Sequence, residues 1–274
     1  MKRKMFIDAG STKMEWVMME GERLTHRFVT SGYNPNYAPS EKLEWILFKE
    51  LPVDLDTPDD IAYYGTGCGT EANCVLVLGL LKKRFPEAEI FVSHDMMGAA
   101  VALFGAGRGI ACILGTGANS CLYDGGVIVD KGVSLGYLVG DEGSGCYIGR
   151  KLVRAYYYGW MPQDLQALFE AKYELDLKAF IDKVYHQPEA SKYLAGFTRF
   201  AGEHQDHPFV RQLVKDCLDE FIEVFVMRYR DCHVLPIGFV GSVAFHFQGI
   251  LRECLASHGL QLAKVLISPL GGLR

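Results

Sequence analysis

Phe6-Ile7-Asp8-Ala9-Gly10-Ser11-Thr12-Lys13 and, further along, Ile113-Leu114-Gly115-Thr116-Gly117-Ala118-Asn119-Ser120 share one form: an apolar run stops at a turn of Gly, Ser and Thr, and a second strand-like run follows. Each reads as strand, tight turn, strand. Outward from the first turn, residues 4–9, 14–19 and 24–29 are three short runs rich in Phe, Ile, Val, Met and Trp, the pattern of a meander. After Asn34-Pro35-Asn36 and Ser40, a candidate helix cap, Leu43, Ile46, Leu47 and Leu51 recur at helical spacing. A strand at 61–64, a helix over 71–84, a strand at 90–92 and a helix over 96–104 follow. From the second turn the order starts again, with strands at 109–114, 119–123 and 127–133 and a helix-rich stretch from 142 to 230. Strand 237–240, helix 243–257 and strand 265–267 complete it. Two β-β-β-α-β-α units, the second with a helical insertion, predict two α/β lobes, 1–105 and 106–274, facing each other across a cleft.

The 274 residues, 49% hydrophobic and 22% charged, suit two globular domains. A net charge of −5, with no basic run beyond Lys2-Arg3-Lys4 and Lys82-Lys83-Arg84, argues against a nucleic-acid partner. Asp8 interrupts the first apolar run, and no window approaches about 18 uninterrupted apolar residues. Neither a signal peptide nor a membrane partner is therefore expected, and the predicted location is cytoplasmic. The eight cysteines form no C-x-x-C and mostly lie inside apolar runs, as free buried thiols do. The eight histidines show no H-E-x-x-H spacing and read as surface or structural.

A phosphate-and-metal site wants what residues 8–13 offer. Glycine lets the backbone approach phosphate oxygens, hydroxyls and N–H groups donate to them, and a strand-end carboxylate such as Asp8 holds Mg2+ directly or through water. An ordinary glycine hairpin looks the same. The matching Gly115-Thr116-Gly117 makes a pair of turns able to clamp a polyphosphate from two sides. No G-x-x-x-x-G-K-[ST] is present, so a P-loop does not supply the site. In Ile90-Phe91-Val92-Ser93-His94-Asp95, a carboxylate ends a strand and leads into a helix, which suits either a general base for phosphoryl transfer or a helix cap. Gly65-Thr66-Gly67-Cys68-Gly69-Thr70 lacks the dinucleotide-binding spacing and reads as a substrate-side loop.

Asp8-x-Gly10-x-Thr12-Lys13, Gly115-Thr116-Gly117-x-Asn119, Gly140-Asp141-Glu142-Gly143-Ser144 and Val240-Gly241-Ser242-Val243 follow one another along nearly the whole chain. In order and approximate spacing they resemble the N-acetylglucosamine kinases and the wider BadF/BadG/BcrA/BcrD ATPase-like family. The resemblance implies an α/β fold of two ribonuclease H-like lobes, the actin-like ATPase/sugar kinase fold, with a nucleotide cleft between them. It implies ATP and Mg2+ as cofactors and a small amino sugar such as N-acetylglucosamine as substrate. By the same resemblance Asp8 organises Mg2+; Gly10, Ser11, Thr12, Lys13, Gly115, Thr116 and Gly117 lie against the phosphates; and Gly241 and Ser242 approach the ribose or adenine. Asp95 is then the catalytic base, and Asn34, Asp95, Asn119, Gly136 and Asp141 contact the sugar. Asn34 in its Gly/Pro-rich loop is also a natural turn former, and Glu142 a natural helix cap.

The family commonly shows Gly-Trp-Gly before Gly-Asp-Glu-Gly-Ser; here the stretch reads Ser134-Leu135-Gly136-Tyr137, which bears on the choice of sugar but not on the phosphate machinery. Many relatives continue past the final Gly-Gly into a helix that crosses back to the first lobe. This sequence ends at Leu270-Gly271-Gly272-Leu273-Arg274, and a homodimer would supply the missing cover. Two rivals share the fold: a nucleotide-binding sensor without turnover, and an ATP-driven activator that holds an iron–sulfur cluster through cysteines.

Overall fold

The computed structural model describes residues 2–273, which form two compact units. The first runs to Gly105 and also takes in the segment from Ser268; the second is Ala106–Ile267.

In the first unit, β1 (Arg3–Ala9), β2 (Lys13–Glu20) and β3 (Arg23–Ser31) form the antiparallel meander read from the sequence. Next come α1 (Ser40–Trp45), widening into a π-turn at Ile46–Glu50, then β4 (Asp60–Gly65), α2 (Glu71–Arg84), β5 (Glu89–His94) and α3 (Asp95–Phe104). Pro39 rather than Ser40 caps α1, with no side-chain hydrogen bond. The sheet order is β3-β2-β1-β4-β5, with β4 parallel to β1 and β5 parallel to β4. Helical crossovers allow those parallel neighbours, whereas tight turns force the antiparallel ones. Ile7, Trp16, Leu43, Leu47, Tyr63, Val77 and Leu81 share one buried cluster, in which the Trp16 indole donates to Thr30 Oγ1 at 2.9 Å.

The second unit repeats the scheme. Its strands are β6 (Arg108–Leu114), β7 (Ala118–Asp124), β8 (Val127–Lys131), β9 (Ile237–Val240) and β10 (Leu262–Leu266), in the order β10-β9-β6-β7-β8. The insertion after β8 holds α4 (Gly145–Tyr157), α5 (Gln163–Lys172), α6 (Leu177–Tyr185), α7 (Ala190–Gly196), α8 (Thr198–Glu203) and α9 (Pro208–Phe221). The single helix expected over 243–257 is interrupted at Phe247, where the backbone leaves the helical range and the ring is buried. The result is α10 (Ser242–His246) and α11 (Gln248–Ser257).

One boundary differs from the sequence reading. Residues 268–273, assigned there to the second lobe, lie with the first unit. A short 3-10 turn, Pro269–Gly271, packs on α3 and β1, and a Cβ at Gly272 would lie 2.2 Å from the Ala102 carbonyl oxygen. Among the described residues no helix is long and apolar enough to cross a membrane.

Within the insertion α4 and α7 cross closely, and a Cβ at Gly149 would fall 1.9 Å from the Leu194 carbonyl oxygen. Backbone cannot yield as a flexible side chain does, so Gly149→Ala forces the helices apart. The expected loss is about 1–3 kcal/mol, read by urea unfolding; a midpoint equal to the parent's would refute this close packing.

Candidate active site

The three parallel strands of the first unit end at one level, because Ala9 pairs with Gly65 and Gly65 with His94. Chemistry gathers around that level: Asp8 lies one residue before it on β1, and Thr66 and Asp95 lie one residue after it beyond β4 and β5. The Thr66 hydroxyl donates to Asp95 Oδ2 at 2.7 Å, and the Met96 N–H donates to Asp95 Oδ1 at 2.8 Å. Asp95 is therefore not the helix cap. His94 takes that place, its Nδ1 accepting from the Met97 N–H, and Asp95 is left to face Thr66.

The turn after Asp8 is held from several sides. The Gly10 N–H donates to the Lys13 carbonyl and the Tyr33 N–H to the Gly10 carbonyl. Gly32 lies so close that a Cβ there would sit 2.4 Å from the carbonyl carbons of Ser11 and Thr12. Asn34 Nδ2 donates to Ser11 Oγ at 3.1 Å while its Oδ1 accepts from the Asn36 N–H at 3.0 Å. Buried Asn34 is thus a turn former that also orients the Ser11 hydroxyl. Ser11, Thr12 and Lys13 are exposed, and Lys13 pairs with Glu15.

Charge in this unit is arranged unevenly. Burial, followed by the charges of Asp95 and Glu15, pushes the Asp8 carboxyl up to about 7. The Ser268 hydroxyl, which donates to Asp8 Oδ2 at 3.4 Å, and the Lys13 ammonium oppose that shift. Burial also pushes Glu15 up, but Lys13 and Arg27 outweigh it and hold the Glu15 carboxyl below its usual range.

The second unit assembles a different surface. Its Gly115-Thr116-Gly117 turn closes with the Gly115 N–H donating to the Gly117 carbonyl at 3.0 Å. The first N–H groups of α4 point back at it, Gly145 donating to Gly115 O at 2.8 Å and Cys146 to Thr116 O at 3.1 Å. Gly241, at φ 127°, presses on the same turn, and a Cβ there would lie 2.2 Å from the Leu114 carbonyl oxygen. Asp141 is buried in a left-handed conformation; its Oδ2 lies 3.0 Å from where a Cβ of Gly117 would be, and Ser134 Oγ donates to its Oδ1 at 3.4 Å. Burial raises the Asp141 carboxyl above its ordinary value. Ser144, not Glu142, caps α4, accepting from the Tyr147 N–H.

Of the residues singled out in the sequence, the first unit thus brings together Asp8, Gly10–Lys13, Asn34 and Asp95, and the second unit Gly115–Gly117, Asp141 and Gly241. Asn119 turns its side-chain oxygen onto the neighbouring Ser120 N–H. Gly136, at φ 74°, accepts from the Gly140 N–H in the loop before Asp141, and Ser242 is the exposed first residue of α10. Sequence reasoning gave no role to Ser268 or Gly32 and placed Thr66 only within a substrate-side loop. Thr66 had a signal, since it follows β4 as Asp95 follows β5.

The chain is 38% identical to a proposed N-acetylglucosamine kinase from Porphyromonas gingivalis. The two structures match at a TM-score of 0.93 over 99% of this chain and 96% of that one. The chain belongs to the N-acetylglucosamine kinase-like family. A proposed N-acetylglucosamine kinase from Chromobacterium violaceum shares 15% identity with this family member, at a TM-score of 0.66 over 99% of this chain and 98% of that one. A ROK family glucokinase from Streptomyces griseus in complex with glucose and AMPPNP shares 12% at 0.56, over 98% and 95%. At those identities the likeness shows the fold, two ribonuclease H-like units of the actin-like ATPase/sugar kinase type. No protein-family model and no curated protein matches the chain.

The raised Asp8 of this N-acetylglucosamine kinase-like chain gives a testable sign. Unfolded, an Asp loses its proton near 3.8; folded, Asp8 keeps it to about 7. The folded state binds the proton more tightly, so Asp8 costs stability as pH rises from about 4 to 7, and the cost persists above 7. In chelator-treated protein, Asp8→Asn is expected to raise Tm by a few degrees at pH 8 and by less at pH 5. An equal or inverted difference would contradict the enclosure of Asp8.

Proposed function

We propose that the protein is an ATP-dependent sugar kinase that transfers the γ-phosphoryl group of ATP to a hydroxyl of a small sugar, with an amino sugar such as N-acetylglucosamine as the leading acceptor. The observation that carries this reading is the pair of carboxylates at the ends of β1 and β5, the parallel strands on either side of β4. Asp8 is poised between protonation states near neutral pH, and Asp95 is held by a donor on each oxygen. The likeness to the Porphyromonas gingivalis protein supports the same reading.

Mg2+ fits these residues. It prefers oxygen ligands and takes one or two carboxylates together with phosphate oxygens and water. Burial first, then repulsion from Asp95 and Glu15, pushes Asp8 up, and a cation beside the carboxylate would offset both. Among the described residues no group of three or more His, Cys, Asp or Glu is arranged to hold a metal, so phosphate and water must complete the shell. When bound, the ion would neutralise charge on the transferring phosphoryl group.

In this reading Asp8 holds the cation, the Gly10–Thr12 and Gly115–Gly117 turns present N–H and hydroxyl donors to phosphate oxygens, and Gly241 and Ser242 approach the nucleoside. Lys13, exposed and paired with Glu15, lies against the phosphates as well. Asp95 takes the proton of the acceptor hydroxyl as that oxygen bonds to the γ-phosphorus and ADP departs. Asn34, Asn119, Gly136 and Asp141 border the sugar. The thiols support a kinase over an iron–sulfur activator: all but Cys74 are buried, and burial pushes Cys68, Cys121, Cys146, Cys217 and Cys254 up to about 12.

The test is ADP release from MgATP in the presence of glucosamine, N-acetylglucosamine, N-acetylmuramic acid, N-acetylmannosamine or glucose, run beside Asp95→Asn. One sugar is expected to stimulate release, and Asp95→Asn to lower the stimulated kcat by about 10²–10⁴-fold. ATP binding that no sugar stimulates would favour the sensor instead.

A further inference from the structure

Thr66 lies in the loop between β4 and α2. Its N–H donates to the Ala9 carbonyl at 2.9 Å, anchoring the residue to the end of the strand that carries Asp8. The rest of the loop is fixed without its hydroxyl. The Cys68 N–H donates to the Gly65 carbonyl at 3.1 Å, and Asn73 Nδ2 donates to the Gly67 carbonyl at 2.7 Å. The hydroxyl is therefore spare for folding the loop, and it is spent on Asp95 Oδ2 at 2.7 Å.

A carboxylate on a single rotatable bond presents its lone pairs in many directions unless both oxygens are held. The Met96 N–H holds Oδ1 of Asp95, but that donor belongs to the next residue of the same helix and moves with it. Thr66 supplies the outside reference. It is β-branched, stiff at χ1, and rooted in a different strand. A general base acts only when its lone pair lies along the line of the departing proton, and errors of about 1 Å cost about 10²-fold in rate.

We propose that Thr66 is a positioning residue for phosphoryl transfer, its hydroxyl fixing the rotation of the Asp95 carboxylate toward the acceptor hydroxyl. This rests on Asp95 being the base. The acceptor oxygen forms its bond to the γ-phosphorus, the bond from that phosphorus to the β,γ-bridging oxygen breaks, the hydroxyl proton passes to Asp95, and ADP leaves. Thr66 exchanges no proton in this step. It keeps the accepting oxygen aimed.

The experiment compares Thr66→Val, Thr66→Ser and Asp95→Asn by steady-state kinetics with MgATP and the five sugars, with Tm measured for each variant. Thr66→Val is expected to lower kcat by about 10- to 100-fold while KM for ATP and for the sugar stay within about threefold of the parent. Thr66→Ser, which restores the hydroxyl, is expected to return kcat to within about threefold. Parental kcat in Thr66→Val, with Asp95→Asn inactive, would overturn the inference and leave the base standing. So would a loss that Thr66→Ser fails to rescue and that follows a lowered Tm. No stimulation by any sugar, or full turnover in Asp95→Asn, would overturn the kinase reading and this inference with it.

Discussion

Parallel pairing of β1, β4 and β5 sets the first unit's chemistry. Because Ala9, Gly65 and His94 share one level, residues far apart in sequence emerge at the same edge: Asp8, Thr66 and Asp95. A slip of one residue in either ladder would turn a strand's side chains to the other face and separate the carboxylates. The register is secured by alternation along β1, where Met5, Ile7 and Ala9 enter the core, and by the continuous burial of β2 from Met14 to Met18. The core thus fixes the strand register, and the register places the carboxylates.

Holding Asp8 beside Asp95 and Glu15 opposes folding electrostatically, and two devices limit the cost. Glu15 is neutralised by Lys13 and Arg27, and Asp8 keeps its proton to about 7. The uncompensated part is what a cation would relieve. The turns face a steric constraint of a different kind. Gly32 and Gly241 allow one stretch of backbone to lie directly on another, at Ser11-Thr12 in the first unit and at Leu114-Gly115 in the second. Loops seated on backbone cannot drift as exposed loops do.

Much of this was legible in the sequence. The two Gly-rich turns, the meanders and the alternation of strand and helix came from period-2 and period-3.6 patterns that survive without tertiary context, and Asp8 and Asp95 were visible because both end apolar runs. What was hidden depends on contacts distant in sequence. Whether Asp95 or His94 caps α3 turns on which side chain meets the Met97 N–H, and spacing alone does not decide between neighbours. Ser268 reaches Asp8 across most of the chain's length, and no local pattern links them. Likewise, the assignment of 268–273 to the first unit follows from Gly272 lying on Ala102, a fit visible only once α3 is in place.

The two units share one topology but furnish it oppositely. By position in the sheet, β1, β4 and β5 correspond to β6, β9 and β10. The first set carries the carboxylates Asp8 and Asp95 with the hydroxyl of Thr66. The second set leads instead into glycines, Gly115 after β6 and Gly241 after β9, and the nearby Asp141 carboxyl is raised by burial. Carboxylates repel a polyphosphate, so the first unit is suited to one only through a cation. Backbone N–H groups and glycines attract a polyphosphate with no ion at all. Duplicating one fold with different residues at its strand ends thus yields two surfaces of unlike electrostatic character.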